Sequence, residues 1–234
     1  MVFSSLVFLL GFLPSLLLIY YLIPRRFRWL RNLVLLGYSL GFYWWGANKL
    51  VALMVVSIVI NYVGGLLAGQ NRKGVARLGV LFASVAGLGL LAWFKYAGFL
   101  AQTINDLGFL IPIPQVTLPI GISFFTFQGL SYVIDVYRGD APIQKNPLNV
   151  ALYVALFPQL VAGPIVRYTT VMEDISTRQE SLDEFAAGVT RFCFGLAKKM
   201  VLANAMGQIA DGVFGQTAAN LDPGLAWVGA LAYT

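Results

Sequence analysis

The chain lacks histidine altogether and has a single cysteine, Cys193, among its 234 residues. One cysteine allows no internal disulfide, and the missing histidine excludes a metal site of the usual cysteine and histidine type. Charge is also scarce, since charged residues make up 11% of the chain against roughly 25% of an ordinary soluble domain. Too little polar sequence remains to cover the surface of a soluble protein of this size.

Apolar residues account for 59% of the chain, and many of them collect in four long runs at residues 6–23, 29–45, 50–67 and 78–94. Each run is close to the ~17 to 25 residues that an α-helix needs to cross the hydrocarbon of a membrane. Four buried helices of a soluble core would need a polar coat that the composition does not supply. The sequence therefore predicts an all-α, polytopic membrane protein in the lipid bilayer, with a single multi-span domain over residues 1–234.

Basic residues are grouped in a way that indicates an orientation. They cluster after the first and third runs, at Arg25, Arg26, Arg28, Arg31, Arg72, Lys73 and Arg77. The positive-inside rule places both clusters in the cytoplasm and the N-terminus outside. A cleaved signal peptide is disfavoured because no basic region precedes the first run. The formal net charge of +6 is largely this topology signal, so no nucleic acid partner is expected.

The second half of the chain is more broken. Residues 104–117 mix polar side chains with proline and predict an external loop or an interfacial helix, whereas residues 118–136 are long enough to cross. The next candidate, residues 148–166, is interrupted by three helix-breaking residues, Pro158, Gly163 and Pro164. Broken helices at membrane depth are tolerated only inside protein or beside water. Broken or re-entrant helices are therefore expected, and the topology after residue 136 stays open.

Two pairs of glycines have the four-residue spacing that lets membrane helices approach closely, Gly37 with Gly41 and Gly65 with Gly69. We interpret them as packing positions rather than as a site. Pro14 is expected to kink the first helix.

A capping box, Ser181 followed by Glu184, predicts the start of a further helix. That helix carries apolar residues at helical spacing, Phe185, Val189, Phe192 and Leu196. A basic amphipathic helix suits the cytoplasmic interface, and one more packed helix of a bundle is the alternative.

The segment LPIGISFFTFQGLSYVIDVYRGD, residues 118–140, places polar side chains inside an apolar helix. Four of them, Gln128, Ser131, Tyr132 and Asp135, include pairs three and four residues apart and form one helical stripe. Polar groups inside a bilayer are costly unless they have partners. The stripe should therefore face the protein interior, where helix-to-helix hydrogen bonds are a more frequent role than contact with an acyl donor or acceptor.

Two arginines complete the set of residues considered for a substrate path. Arg138 follows Asp135 by one helical turn, so a mutual ion pair is expected and Asp135 is a poor candidate for a base. Arg167 follows the break at Gly163 and Pro164. It could hold a phosphate of a cytoplasmic donor, although anchoring at the lipid headgroups is the simpler role.

The residue motifs now support a resemblance. The 118–140 segment and FPQLVAGPIVRY at residues 157–168 closely resemble the membrane-bound O-acyltransferase family. The opening MVFSSLVFL, WFKYAGF at residues 93–99 and the terminal GALAYT are similar to its bacterial branch that O-acetylates alginate and related exopolysaccharides. The resemblance covers nearly the whole chain. Other relatives acetylate cellulose or peptidoglycan, and a cousin passes D-alanine to teichoic acid.

This resemblance implies a ring of helices around a funnel in the bacterial inner membrane. An acyl group, most simply acetyl, would come from a cytoplasmic thioester, acetyl-CoA or an acyl carrier, with no bound cofactor. It would be relayed to an exported polysaccharide, with extracytoplasmic partner proteins completing the transfer. The family's hallmark histidine belongs to the second half of such proteins. We therefore expect no catalytic residue in this chain, and it remains open whether the chain is an enzyme by itself.

The apolar run at residues 225–234 is too short to cross a membrane. This fits the N-terminal part of a longer acyltransferase, with a natural truncation as the alternative. A different class of function also stays open. In a transporter or exopolysaccharide-export subunit, the polar stripe would line a translocation path and no bond would be made.

Overall fold

A computed structural model of the chain describes residues 3–160, 166–216 and 222–234. Across these residues the chain is helical and contains no strand, which confirms the predicted all-α class. The described residues form two compact units. One comprises Val7–Arg178, and the other comprises the described parts of 3–6 and 179–234.

The four apolar runs form the first helices of the larger unit. A π-helical stretch, Val7–Phe12, continues without a break into α1, Leu13–Leu22, and Pro14 is the second residue of α1, next to this junction. The next helices are α2, Arg28–Ala47, and α3, Val51–Ala68. Helix α4, Lys73–Asp106, extends beyond both ends of the apolar run at residues 78–94 that predicted it. The helical stretch Arg25–Ala68 and α4 are each long and apolar enough to cross a membrane.

The broken region contains shorter helices. They are α5, Ile122–Arg138, α6, Pro147–Ala155, α7, Phe157–Leu160, and α8, Tyr168–Thr177. The predicted interruption of the 148–166 run is confirmed, although it occurs at Leu156. Pro158 cannot donate a backbone hydrogen bond to the preceding turn, so a new helix starts instead of α6 continuing. Gly163 and Pro164 lie outside the described residues. Of the predicted loop 104–117, the first three residues belong to α4 and the rest is irregular.

Helix α3 packs against α4 and α5, and glycines allow the close approach. A Cβ atom added at Gly65 would overlap the ring of Tyr132, and one at Gly69 would overlap Ile143. The packing role predicted for this glycine pair is therefore confirmed. For Gly37 and Gly41 it is not observed, because no described atom lies within 4 Å of an added Cβ.

The smaller unit starts with α9, Leu182–Ala197, and its N-terminus is capped as the sequence predicts. The backbone N–H of Glu184 donates to Ser181 Oγ at 3.1 Å. A π-helical stretch, Lys198–Ala203, continues into α10, Asn204–Phe214, which packs against α11, Pro223–Tyr233. No residue of α9 is buried, and its place at a membrane interface stays a prediction.

Candidate functional site

The polar stripe of α5 faces the protein interior, as its spacing predicts. Gln128 is 2% exposed, Tyr132 is fully buried and Asp135 is 5% exposed, while Ser131 is half-buried. All four side chains therefore lie on the side of α5 that packs against α3, α6 and α8. We call Gln128, Ser131, Tyr132 and Asp135 the α5 stripe.

Hydrogen bonds tie the α5 stripe to α6 and to the segment that follows it. Gln128 Nε2 donates to the backbone oxygen of Tyr153 at 2.7 Å and to Gln159 Oε1 at 2.9 Å. The hydroxyls of Ser131 and Tyr153 are 3.2 Å apart, and Tyr153 also donates to the backbone oxygen of Val166 at 2.8 Å. These bonds are the helix-to-helix contacts expected of polar residues in a membrane bundle.

Three buried tyrosines, Tyr132, Tyr153 and Tyr168, pack against one another beside these hydrogen bonds. The ring of Tyr168, on α8, lies 4.9 Å from that of Tyr132 and 5.2 Å from that of Tyr153, both in edge-to-face geometry. Gln144 connects two of them, donating from its backbone N–H to the Tyr132 hydroxyl and from Nε2 to the Tyr168 hydroxyl. Burial raises the pKa of Tyr168 above its ordinary value, so this phenol keeps its proton at neutral pH.

The expected ion pair between Asp135 and Arg138 is wrong. Asp135 is buried and its Oδ2 atom has no hydrogen-bond partner in the described structure, whereas Arg138 is exposed. Three-residue spacing brings two side chains to one face of a helix, but it does not give them the same depth. Arg138 is the last residue of α5, and its long side chain is exposed. Asp135 lies one helical turn earlier, where the helix is buried by its neighbours.

Burial of the Asp135 side chain therefore costs the folded protein free energy. A buried carboxylate oxygen without a hydrogen-bond partner, here Oδ2, loses its hydration, and the C-terminal turn of a helix adds the negative end of the helix dipole. A residue retained at such a cost inside a membrane protein is a candidate for function.

Arg167 takes no part in this network. It is exposed and occupies the N-cap position of α8, directly before the buried Tyr168. The structure therefore leaves its role, headgroup anchor or phosphate contact, as a prediction.

Sequence reasoning missed the partners of the α5 stripe, which are Gln144, Tyr153, Gln159 and Tyr168. Gln159 and Tyr168 lie inside the quoted 157–168 motif, so that motif was the available signal for them. Tyr153 and Gln144 carry no spacing signal of their own and come into contact with α5 only through the folding of α6 and α8.

Comparisons with known proteins agree with these motifs. A protein of Azotobacter vinelandii named "Probable alginate O-acetylase AlgI" is 42% identical to this chain, across 100% of the chain and 47% of the relative. A Pseudomonas aeruginosa protein of the same name is also 42% identical, across 100% of the chain and 45% of the relative. A "Peptidoglycan O-acetyltransferase" of Helicobacter pylori is 31% identical, across 100% of the chain and 50% of the relative.

The chain thus spans about half the length of the curated relatives it matches. No protein-family profile and no solved structure matches it.

Proposed function

The chain belongs to the membrane-bound O-acyltransferase family, and on that basis we propose that it forms part of an enzyme that O-acetylates an exported polysaccharide of the alginate type. The observation that carries the proposal is the 42% identity to proteins named alginate O-acetylase, which extends over the whole chain. The lower identity of 31% to the peptidoglycan O-acetyltransferase favours alginate over peptidoglycan as the acceptor.

In the proposed first step, the hydroxyl of an acceptor that relays the acetyl group towards the polysaccharide attacks the carbonyl carbon of an acyl thioester. A C–O bond forms, the C–S bond breaks, the hydroxyl proton passes to a base and the thiolate leaves. A base for this step needs a pKa near the operating pH. Tyr168 is unsuitable because its pKa is raised, and the chain has no histidine. The proposal therefore places the base outside these 234 residues.

The contribution of this chain is the polar wall that the α5 stripe builds with Tyr153 and Gln159. Amide and hydroxyl groups at this wall are neutral and held by hydrogen bonds of 2.7 to 3.2 Å. Because these groups are already paired with one another, their proposed role is to hold α5, α6 and the following segment in a fixed arrangement around the reacting groups. In the proposal, a cytoplasmic thioester supplies the acetyl group and extracytoplasmic partner proteins complete the transfer. The inner membrane, with the N-terminus outside, is the proposed setting.

A transporter or export subunit is the weaker candidate. A water-filled path would be lined by polar groups that face its water, whereas the side chains of Gln128, Ser131 and Tyr153 hydrogen bond to neighbouring protein groups. The named relatives with full coverage of the chain are acetyl-transferring proteins by name.

A chimera tests the proposal in cells. The matched region of the Pseudomonas aeruginosa relative would be replaced by this chain, in a strain that lacks the relative's own gene, and the acetyl content of the exported alginate measured. We expect acetylation to return. The control chimera carries the matched region of the Helicobacter pylori protein and should restore little. Unacetylated alginate from a strain in which the first chimera accumulates in the membrane would contradict the proposal.

A further inference from the structure

A cavity of about 360 Å³ in the larger unit includes part of the polar wall. Its lining comes from α1, α2, α6, α7 and α8 and from the residues that join them. Most of the wall is aliphatic and is formed by Leu16, Leu35, Leu152, Leu156, Val171 and Ile175. Tyr153 and Gln159 of the polar wall line the same cavity, so a ligand inside it would meet both kinds of surface.

Hydrogen bonds determine which way the amide of Gln159 points. The backbone oxygen of Tyr153 can only accept, so the Gln128 atom that lies 2.7 Å from it must be the Nε2 donor. The same Nε2 lies 2.9 Å from the Gln159 side chain, so the Gln159 atom that faces it must be the acceptor Oε1. Because an amide is planar, the Nε2 group of Gln159 is directed away from Gln128.

This Nε2 group has no hydrogen-bond partner among the described residues. The Gln159 side chain is half-buried and lines the cavity. Other donors on the cavity wall are already engaged, since the Tyr153 hydroxyl donates to the backbone oxygen of Val166 and Arg178 Nε donates to the Tyr20 hydroxyl. Gln159 therefore offers the cavity a neutral N–H donor whose direction is already set.

The backbone that carries Gln159 is also anchored. The N–H of Phe157 donates to Ser39 Oγ on α2 at 3.3 Å, and the N–H of Gln159 donates to the backbone oxygen of Leu156 at 3.0 Å. These bonds hold α7 in place where Pro158 prevents α6 from continuing. A donor fixed in this way needs little further ordering when a ligand binds.

A neutral donor in a mainly aliphatic cavity suits a carbonyl oxygen on a slender chain. The volume is at the lower end of the roughly 300–1,000 Å³ of small-ligand pockets. A sugar would leave most of its hydroxyls without partners against the aliphatic wall. An acyl thioester has one strong acceptor, its carbonyl oxygen, with a methyl group on one side and sulfur and a chain on the other. Of the two substrates of the proposed reaction, the cavity therefore favours the acyl donor.

We infer that this cavity receives the acyl thioester and that Gln159 Nε2 donates a hydrogen bond to its carbonyl oxygen. Negative charge develops on this oxygen when a hydroxyl attacks the carbonyl carbon, before the C–S bond breaks. A preorganised side-chain amide can stabilise such charge. The inference rests on the proposed acyl transfer for the identity of the ligand. It gives this chain one catalytic residue, although the proposed base lies outside it.

The test is binding of a short acetyl thioester, S-acetyl-N-acetylcysteamine, to the full chain purified in mild detergent. Its thioester carbonyl would carry carbon-13, and isotope-edited infrared spectroscopy would record that carbonyl alone. A hydrogen bond weakens the C=O bond, so the band should lie at lower frequency when the thioester is bound to the wild type than in Gln159→Met. Loss of one neutral hydrogen bond should also weaken binding in Gln159→Met by up to about tenfold.

Two further variants keep the test decisive if Gln159→Met fails to fold. Gln159→Glu retains the shape and an acceptor for Gln128 but has no donor for the carbonyl, so the frequency shift should disappear. Gln128→Met removes the group that orients the Gln159 amide, so the band should broaden and shift less than in the wild type.

Matched controls separate this role from general effects on the fold. Gln102→Met changes an exposed glutamine of α4 that does not line the cavity, and its band should match the wild type. Val171→Trp fills the cavity and should lose the thioester. The inference would be overturned by no binding to the wild type, by the same band in the wild type and Gln159→Met, or by retained binding in Val171→Trp. Acetylation by the chimera together with any of these results would reject the role of Gln159 and leave the proposed function standing.

Discussion

Asp135 and Arg138 show how two neighbouring charges on one helix can have opposite surroundings. Asp135 is 5% exposed, with a carboxylate oxygen that has no hydrogen-bond partner in the described structure, while Arg138 is exposed. Their three-residue spacing predicted an ion pair, but spacing carries no information about depth. In contrast, the inward orientation of Gln128, Tyr132 and Asp135 followed from helical periodicity alone. The tyrosine and glutamine partners of the stripe come from other helices and could not be assigned without the fold.

This environment leads to a prediction for Asp135→Asn. The neutral amide is nearly isosteric and less costly to bury than a carboxylate, so the free energy of unfolding in detergent should rise by about 1 kcal/mol. If the costly carboxylate is retained for function, the same substitution in the active chimera should lower acetyl transfer.

Arg138→Gln is the control, and neither quantity should change because the side chain is exposed. Thermal unfolding and transfer rates provide the two readouts. A lower unfolding midpoint for Asp135→Asn than for the control would show that the carboxylate has a stabilising partner.

The helices themselves were largely predictable, because long apolar runs and a capping box are local signals. The starts and ends of α2 and α3 fall within a few residues of the predicted runs, and Ser181 caps α9 as expected. Helix packing was less predictable. Two glycine pairs with the same spacing behave differently, since Gly65 and Gly69 contact α5 and its following loop while Gly37 and Gly41 face no described atom. Spacing identifies a smooth helix face, but not whether another helix covers it.

The contact between α3 and α4 gives a prediction for Gly79→Ala. The added Cβ would lie 2.6 Å from the backbone nitrogen of Ala68 and 2.8 Å from the backbone oxygen of Gly64. Backbone atoms cannot move aside cheaply, so the substitution should destabilise the protein by about 1–3 kcal/mol. Gly89→Ala, on the same helix, meets no atom within 4 Å and should be neutral or slightly stabilising. Equal thermal midpoints for the two variants in detergent would contradict this packing.

The chain as a unit supplies a buried polar wall but no histidine, and it spans about half of relatives named for O-acetyl transfer. Family membership was accessible from the sequence, because the 118–140 and 157–168 motifs are long and specific. The acceptor, the donor and the orientation of the chain in the membrane were implied only by resemblance or by the charge pattern, and they stay predictions. No local signal in the chain encodes them, since the proposed base and the proposed partner proteins lie outside it.

Acetyl transfer from a labelled acetyl thioester to alginate, measured in membrane vesicles, examines the proposed role most directly. Vesicles would come from a strain that keeps the proposed extracytoplasmic partner proteins but lacks the relative's own gene. They would contain the 234-residue chain alone, the chimera with the Pseudomonas aeruginosa relative, or that chimera with the family's hallmark histidine replaced. We expect label on alginate only from the chimera that keeps the histidine, because no group in this chain is suited to act as the base near neutral pH. Protein-dependent labelling by the chain alone, or none by a chimera that accumulates normally, would contradict the proposed function.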